Sequence, residues 1–251
     1  MRGINRARKL LRRICPIHRV FSRCIILIYH RVADVVSDPQ LLCVSKTHFA
    51  EHLEYIRQHY HPMSLHDLNQ AVSTGKIPRD GVVVTFDDGY ADNLWHAKPL
   101  LEQYNVPATI FVTTGYVGQN REFWWDELER LLLLPEKLPE RLEININGEF
   151  YEWNLHESKE QSAWNGRWDV TMGFCPGPRY EVYKSLHPLF RPLEYEKRQQ
   201  ALIELAQWAG VQEYGGSDYR TLELDELKTL SCDNGLVEIG SHTVTHSVLS
   251  A

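Results

Sequence analysis

Residues 82–90 read VVVTFDDGY. A short apolar run rich in β-branched side chains predicts a strand buried on both faces, as in a parallel sheet. Two adjacent carboxylates close the run and a glycine follows. On a regular strand Asp87 and Asp88 point to opposite faces. A turn beginning at Asp88, with Gly89 free to take a positive φ, brings both acids to the C-terminal end of the strand. In α/β sheets and barrels that end is where sites form. Paired acids there are costly unless a cation or a shared proton offsets their repulsion. The competing reading is structural, since Asp88-Gly89 is also ordinary turn sequence.

Three further runs read as buried strands: Cys24–Tyr29, Ala108–Thr113 and Leu236–Gly240. Helical patterns lie between them. Ser45 or Thr47 is a cap for a helix through Thr47–His59, and Ser64 is a cap before Leu65–Val72. Leu94–Tyr104 follows the second strand and Leu222–Cys232 precedes the fourth, with Asn234-Gly235 as a turn. Alternating strand and helix predict an α/β layer or barrel. Residues 118–219 break this rhythm and are too long for a connection, so they must carry structure of their own. There Leu142–Ile146 and Phe150–Trp153 flank Asn147-Gly148, the pattern of a tight β-hairpin, and Tyr195–Ala209 is helical. The segment also holds Trp124, Trp125, Trp153, Trp164 and Trp168. It reads as an insertion over one end of the sheet.

The net charge of −6 hides an asymmetry. Nine of the 27 Lys and Arg residues fall within positions 1–31, leaving 18 basic residues against all 33 acidic ones. An acidic body argues against a nucleic-acid substrate. Residues 1–23 form a basic leader, either lying on an anionic membrane surface with Leu10, Leu11 and Ile14 inward or packed as a solvated helix. A cleavable signal peptide does not fit, because the apolar stretch runs straight into the first strand. Five scattered cysteines with no CxxC pair suit unpaired thiols in a reducing compartment, hence a cytoplasmic or membrane-peripheral protein. No apolar run reaches the roughly 20 residues needed to span a bilayer.

The second chemical signal is Ser241-His242-Thr243-Val244-Thr245-His246, just after the fourth strand. Histidines four apart lie on one side of a helical turn, a spacing that suits two ligands to one ion. Ser241, Thr243 and Thr245 are candidates to fix the imidazole tautomers. The alternative is two surface histidines on a capped helix. Taken with the acids, both signals sit on the same rim of a parallel sheet. One carboxylate and two imidazoles make a ligand set for zinc or another divalent transition metal with open positions. The second carboxylate is then a spare base beside a water on the metal, a hydrolytic arrangement.

TFDDGY followed by SHTVTH resembles the first two motifs of the polysaccharide deacetylase family, the NodB-homology or carbohydrate esterase 4 group. Ile28–Val32 and Ala108–Val112 look like that family's flanking strands, so the resemblance covers roughly 24–117 and 220–250. It implies a distorted (β/α) barrel and removal of acetyl groups from N-acetylated sugars or polysaccharides. Asp87 would be the general base, with Asp88, His242 and His246 as ligands to a divalent cation, zinc being the first expectation. Tyr90, which closes the acidic motif, and Trp124 and Trp125, with rings suited to stack on sugars, are candidates for substrate contact. The alternative for the tryptophans is a local core.

Family members carry Arg-x-Pro-Tyr, Asp-x-x-Asp-Trp and Leu-x-His segments after the histidine pair, whereas Ala251 follows His246 by five residues. The expectation is therefore an incomplete barrel with no assigned general acid. Leu186-His187 and Arg191-Pro192 have matching letters but precede the pair; His30, ending the first strand, is the better placed candidate near the metal. Two other functional readings stand beside N-deacetylation: an O-acetyl esterase, and an inactive remnant that binds carbohydrate or metal.

Overall fold

The computed structural model describes residues 24–119, 121–156, 166–212, 219–232 and 235–247. The basic leader 1–23, with the apolar face expected for it, and Trp164 lie outside the described residues. The four predicted strands form at Cys24–Tyr29 (β1), Gly81–Phe86 (β5), Ala108–Val112 (β6) and Val237–Ser241 (β9). They pair in the order β1-β5-β6-β9, all parallel. Short strands intervene: Arg31–Val32 (β2) pairs with Cys43–Val44 (β3), and His61–Pro62 (β4) pairs with the start of β5. Because every main strand runs the same way, His30, Asp87-Asp88, Thr113 and His242 all emerge on one rim.

Helices cover the sheet as the periodicity predicts. Lys46–His59 (α1) is capped by Ser45, whose hydroxyl accepts from the His48 amide, and buries Phe49, Leu53 and Ile56. Leu65–Thr74 (α2) is capped by Ser64 and ended by Gly75 in the left-handed region. The helix expected at Leu94–Tyr104 begins with a π-helical turn, Asn93–Ala97, and continues as Lys98–Tyr104 (α3). α1, α3 and the sheet enclose a core around Val82, Val84, Phe86, Leu101 and Ile110, while Leu68 of α2 packs separately with Met63 and Val83.

β5 is buried throughout, as expected for a sheet covered on both faces. β1 is not: Ile26 and Ile28 are 48% and 62% exposed. Among the described residues the sheet stays open, with β1 and β9 as its edges. The expectation of four strands all buried on both faces thus holds at the centre of the sheet and fails at its margin.

Residues 118–219 build a second core. Trp124–Leu132 (α4), the hairpin Arg141–Ile146 (β7) and Glu149–Asn154 (β8), Pro178–Phe190 (α5) and Tyr195–Ala209 (α6) supply it. The hairpin turns at Asn147-Gly148, both at positive φ, and buries Leu142, Ile144 and Ile146 in strict alternation. Trp124, Trp125 and Trp168 are buried with Phe123, Leu128, Tyr183 and Phe190. Tyr90 and Tyr116, both preceding the insertion in sequence, reach into this core and join it to the rim. Leu224–Cys232 (α7) then leads back to β9. Among the described residues no helix is long and apolar enough to cross a membrane. Cys24, Cys43 and Cys175 are free and half-buried.

Candidate metal centre

The turn after β5 is set by two successive residues in the left-handed region, Asp88 at φ 74° and Gly89 at φ 84°. Gly89 has no room for a side chain, because a Cβ there would lie 2.8 Å from Cγ1 of Val112. Neighbouring backbone pins the turn on both sides. The Asp88 carbonyl accepts from the Thr113 amide at 3.0 Å, and the Gly89 carbonyl accepts from the Leu222 amide at 3.0 Å. Positive φ is unfavourable for Asp, so this geometry is held by its surroundings. It separates the two acids. Asp88 is 1% exposed and its carboxylate enters the site, whereas Asp87 is half-buried and outside both the ligand cluster and the cavity lining.

The expected helical turn at His242–His246 is absent. The segment is an irregular loop in which Thr243 and His246 have φ of 62° and 55°. β6 and its extension hold the loop through backbone bonds: the His242 amide donates to Val112, Thr114 to Thr243 and Gly115 to Val244. Gly115 must lack a side chain, since a Cβ there would fall onto the Val244 carbonyl. The loop still brings the rings together, with centroids 5.0 Å apart. The expected hydroxyl support differs as well: Thr243 Oγ1 accepts from the Ser247 amide and Thr245 bonds the Ser247 hydroxyl.

Asp88, His242 and His246 each present one ligand atom, all within 4.8 Å of one another. Nε2 of His246 is 3.1 Å from Oδ1 of Asp88, and Nε2 of His242 is 3.7 Å from it. Neither Asp88 oxygen receives a hydrogen bond among the described residues. A buried carboxylate without a donor is costly, and a divalent cation bound by Asp88, His242 and His246 would remove that cost. The donor set, one oxygen and two nitrogens, fits zinc and related transition metals.

The three side chains line a cavity of ≈ 580 Å³, within the range of small-molecule sites. Its other walls come from both halves of the chain. His30 stands at the end of β1; Trp124, Trp125, His187, Arg191 and Arg198 come from the insertion. The two tryptophans are therefore core residues that also face the cavity. Trp125 packs on His246 with centroids 4.8 Å apart, and Trp124 packs on His187 at 4.7 Å. Tyr90 is corrected as a substrate contact: it is fully buried and outside the lining. Its hydroxyl accepts from Trp125 Nε1 at 2.8 Å and donates to Asp126 at 2.7 Å, so it braces the wall from behind.

His187 and Arg191 precede the histidine pair in sequence, yet α5 carries them to this cavity. Burial, reinforced by Arg191, holds the His187 imidazole below its usual pKa, which favours the neutral ring. Arg198 was not among the expected site residues. Its signal was present: in the amphipathic helix α6 it shares the buried stripe with Ala201, Leu202 and Leu205.

Residues 74–134 match the family model described as polysaccharide deacetylase, a span that carries β5, the acidic turn, β6 and α4. YxkH of Bacillus subtilis (strain 168), named for the same family, is 29% identical over 108 residues, 42% of this chain and 37% of that protein. The poly-beta-1,6-N-acetyl-D-glucosamine N-deacetylase of Escherichia coli (strain K12) is 32% identical over 82 residues, 32% of this chain and 12% of that protein. Among solved structures, IcaB from Ammonifex degensii is 28% identical, with 43% of this chain and 48% of that chain covered and a TM-score of 0.37. The chain thus spans well under two thirds of the curated relatives it matches. The segment that contains Asp87, Asp88 and the two strands around them is thus similar to the polysaccharide deacetylase family, over about a quarter of the chain.

Proposed function

We propose that this chain carries the metal-binding wall of a hydrolase that removes acetyl groups from N-acetylated sugars. One observation carries the reading: a carboxylate 1% exposed, without a hydrogen-bond donor among the described residues, faces two imidazole nitrogens at 3.1 and 3.7 Å, beside a cavity. The relatives named as N-deacetylases support an amide substrate over an ester. The parallel order β1-β5-β6-β9, with the site on the C-terminal rim, supports assigning the sheet to a distorted (β/α) barrel of NodB type.

Asp88, His242 and His246 hold the cation, zinc by preference of the donor set. When bound, a divalent cation supplies a Lewis acid that polarises the acetyl carbonyl and lowers the pKa of a water. Asp87, next to Asp88 and left out of the ligand set, takes the proton from the attacking water. Trp124 and Trp125 give the cavity an apolar wall against which a sugar ring stacks, and His30 adds a polar group to the lining from the end of β1.

Acetate release from N-acetylglucosamine oligomers and from an O-acetylated sugar, each with zinc, cobalt or after chelation, tests the proposal. The expected result is metal-dependent release from the amide substrate, abolished by Asp87→Asn while zinc still binds. Release from the ester alone would make the enzyme an esterase. Zinc binding with no release from either substrate would leave a binding remnant.

A further inference from the structure

The insertion builds its side of the cavity from two arginines that have no carboxylate partner among the described residues. Arg198 is 4% exposed, and its Nε has no hydrogen-bond partner among the described residues. Its guanidinium reaches the Leu193 carbonyl at 3.4 Å and lies over the Trp124 ring at 5.6 Å, with no carboxylate in contact among the described residues. Buried Arg31 and the half-buried Arg121 and Arg130 are treated differently. Arg31 pairs with Asp92 at 2.9 Å, Arg121 with Glu127 at 3.1 Å and Arg130 with Glu122 at 2.6 Å. A buried charge lacking a counterion is unfavourable unless a ligand supplies one. Arg191, exposed on the same wall, likewise has no carboxylate partner among the described residues. Among the described residues Asp88 is the one acidic side chain lining the cavity, and it already faces His242 and His246. An acetylated neutral sugar has nothing with which to meet these two cations.

We infer that Arg198 and Arg191 form a subsite for an anionic substituent of the sugar, a carboxylate or a phosphate ester, on the insertion side of the cavity. A planar guanidinium with free N–H groups matches the paired oxygens of either group. Burial beside Trp124 strengthens the attraction by excluding water. The inference names a substrate class for the deacetylase reading and in that respect rests on it. The subsite is nevertheless separable, because anion binding requires neither metal nor turnover.

The experiment is calorimetric titration of the full chain, kept metal-free with chelator, with inorganic phosphate, sodium glucuronate and glucose. At least one anion is expected to bind at least tenfold more tightly than glucose. The tighter of the two anions then identifies the substituent. Arg198→Gln and Arg191→Gln are each expected to weaken that anion at least tenfold, with Arg198→Lys restoring part of the loss. Should Arg198→Gln fail to fold, Arg191→Gln, altering an exposed side chain, decides alone. Equal binding of glucose and both anions, or anion affinity unchanged in the folded variants, overturns the subsite. Anion binding without any acetate release overturns only the deacetylase reading.

Discussion

The indole of Trp125 packs against the imidazole of His246 with ring centroids 4.8 Å apart, while its Nε1 donates to the Tyr90 hydroxyl at 2.8 Å. The insertion thereby holds a metal-ligand candidate that belongs to the sheet rim. Trp125→Leu keeps the wall apolar but removes both the ring contact and the anchor to Tyr90. Supporting groups around metal ligands are commonly worth about 10–100-fold in affinity. Zinc titration of Trp125→Leu is expected to show weakening of at least about tenfold with the fold retained; unchanged affinity would make the packing incidental.

Zinc itself should raise stability by mass action, since the ligand set forms only in the folded chain. At a free concentration about 100-fold above Kd the gain is about 2.7 kcal/mol, reversed by chelator. His242→Ala and His246→Ala are expected to lose most of this gain. Asp88→Asn separates the roles further. It removes a buried carboxylate that lacks a donor among the described residues, so the metal-free variant should be more stable than the parent by about 1 kcal/mol, and the zinc-dependent gain should vanish. Thermal unfolding with and without zinc reads both effects, and a less stable metal-free Asp88→Asn would contradict the account of its burial.

Gly89→Ala tests the turn. The new methyl meets Val112 at 2.8 Å in a residue at φ 84°. A destabilisation of about 2–3 kcal/mol is expected from steric conflict and backbone strain together, with weakened zinc binding because Asp88 shifts with its neighbour. Denaturant unfolding measures the first effect and zinc titration the second.

The acids of α4 predict a pH dependence. Burial raises Glu127 and Glu129 to about 7, with Arg121 partly opposing the shift at Glu127. Their folded pKa values lie above those of the unfolded chain, so the native state binds more protons between about pH 4.5 and 7. Their contribution to stability is full below about 4.5 and is lost as pH rises through about 7. Urea unfolding across this window should show it, and Glu129→Gln should flatten the slope. An unchanged slope would place the protons elsewhere.

Much of the fold was legible because it rests on local patterns. The strand runs, Ser45 and Ser64 as caps, the Asn147-Gly148 hairpin and the helix Tyr195–Ala209 all formed where propensity and periodicity put them. The π-helical turn at Asn93–Ala97 was not legible, and neither was the exposed margin at β1. An apolar run gives the same signal whether or not another element covers it. In the site, the spacing of His242 and His246 suggested a helix, but β6 holds them in a loop. Four-residue spacing matches either backbone when long-range bonds impose the geometry.

Sequence alone singled out the candidate residues: adjacent acids at a strand end, a histidine pair at another, and the parallel order that sets both on one rim. Those are properties of local pattern and chain direction. Only the tertiary structure decided that Asp88 turns inward while Asp87 stays outside the cluster, that Tyr90 braces the wall from behind, and that His187, Arg191 and Arg198 reach the same cavity. Each of these depends on where the insertion packs and on positive-φ backbone held by distant hydrogen bonds. Contacts of that kind join residues far apart in the chain, and no local pattern encodes them.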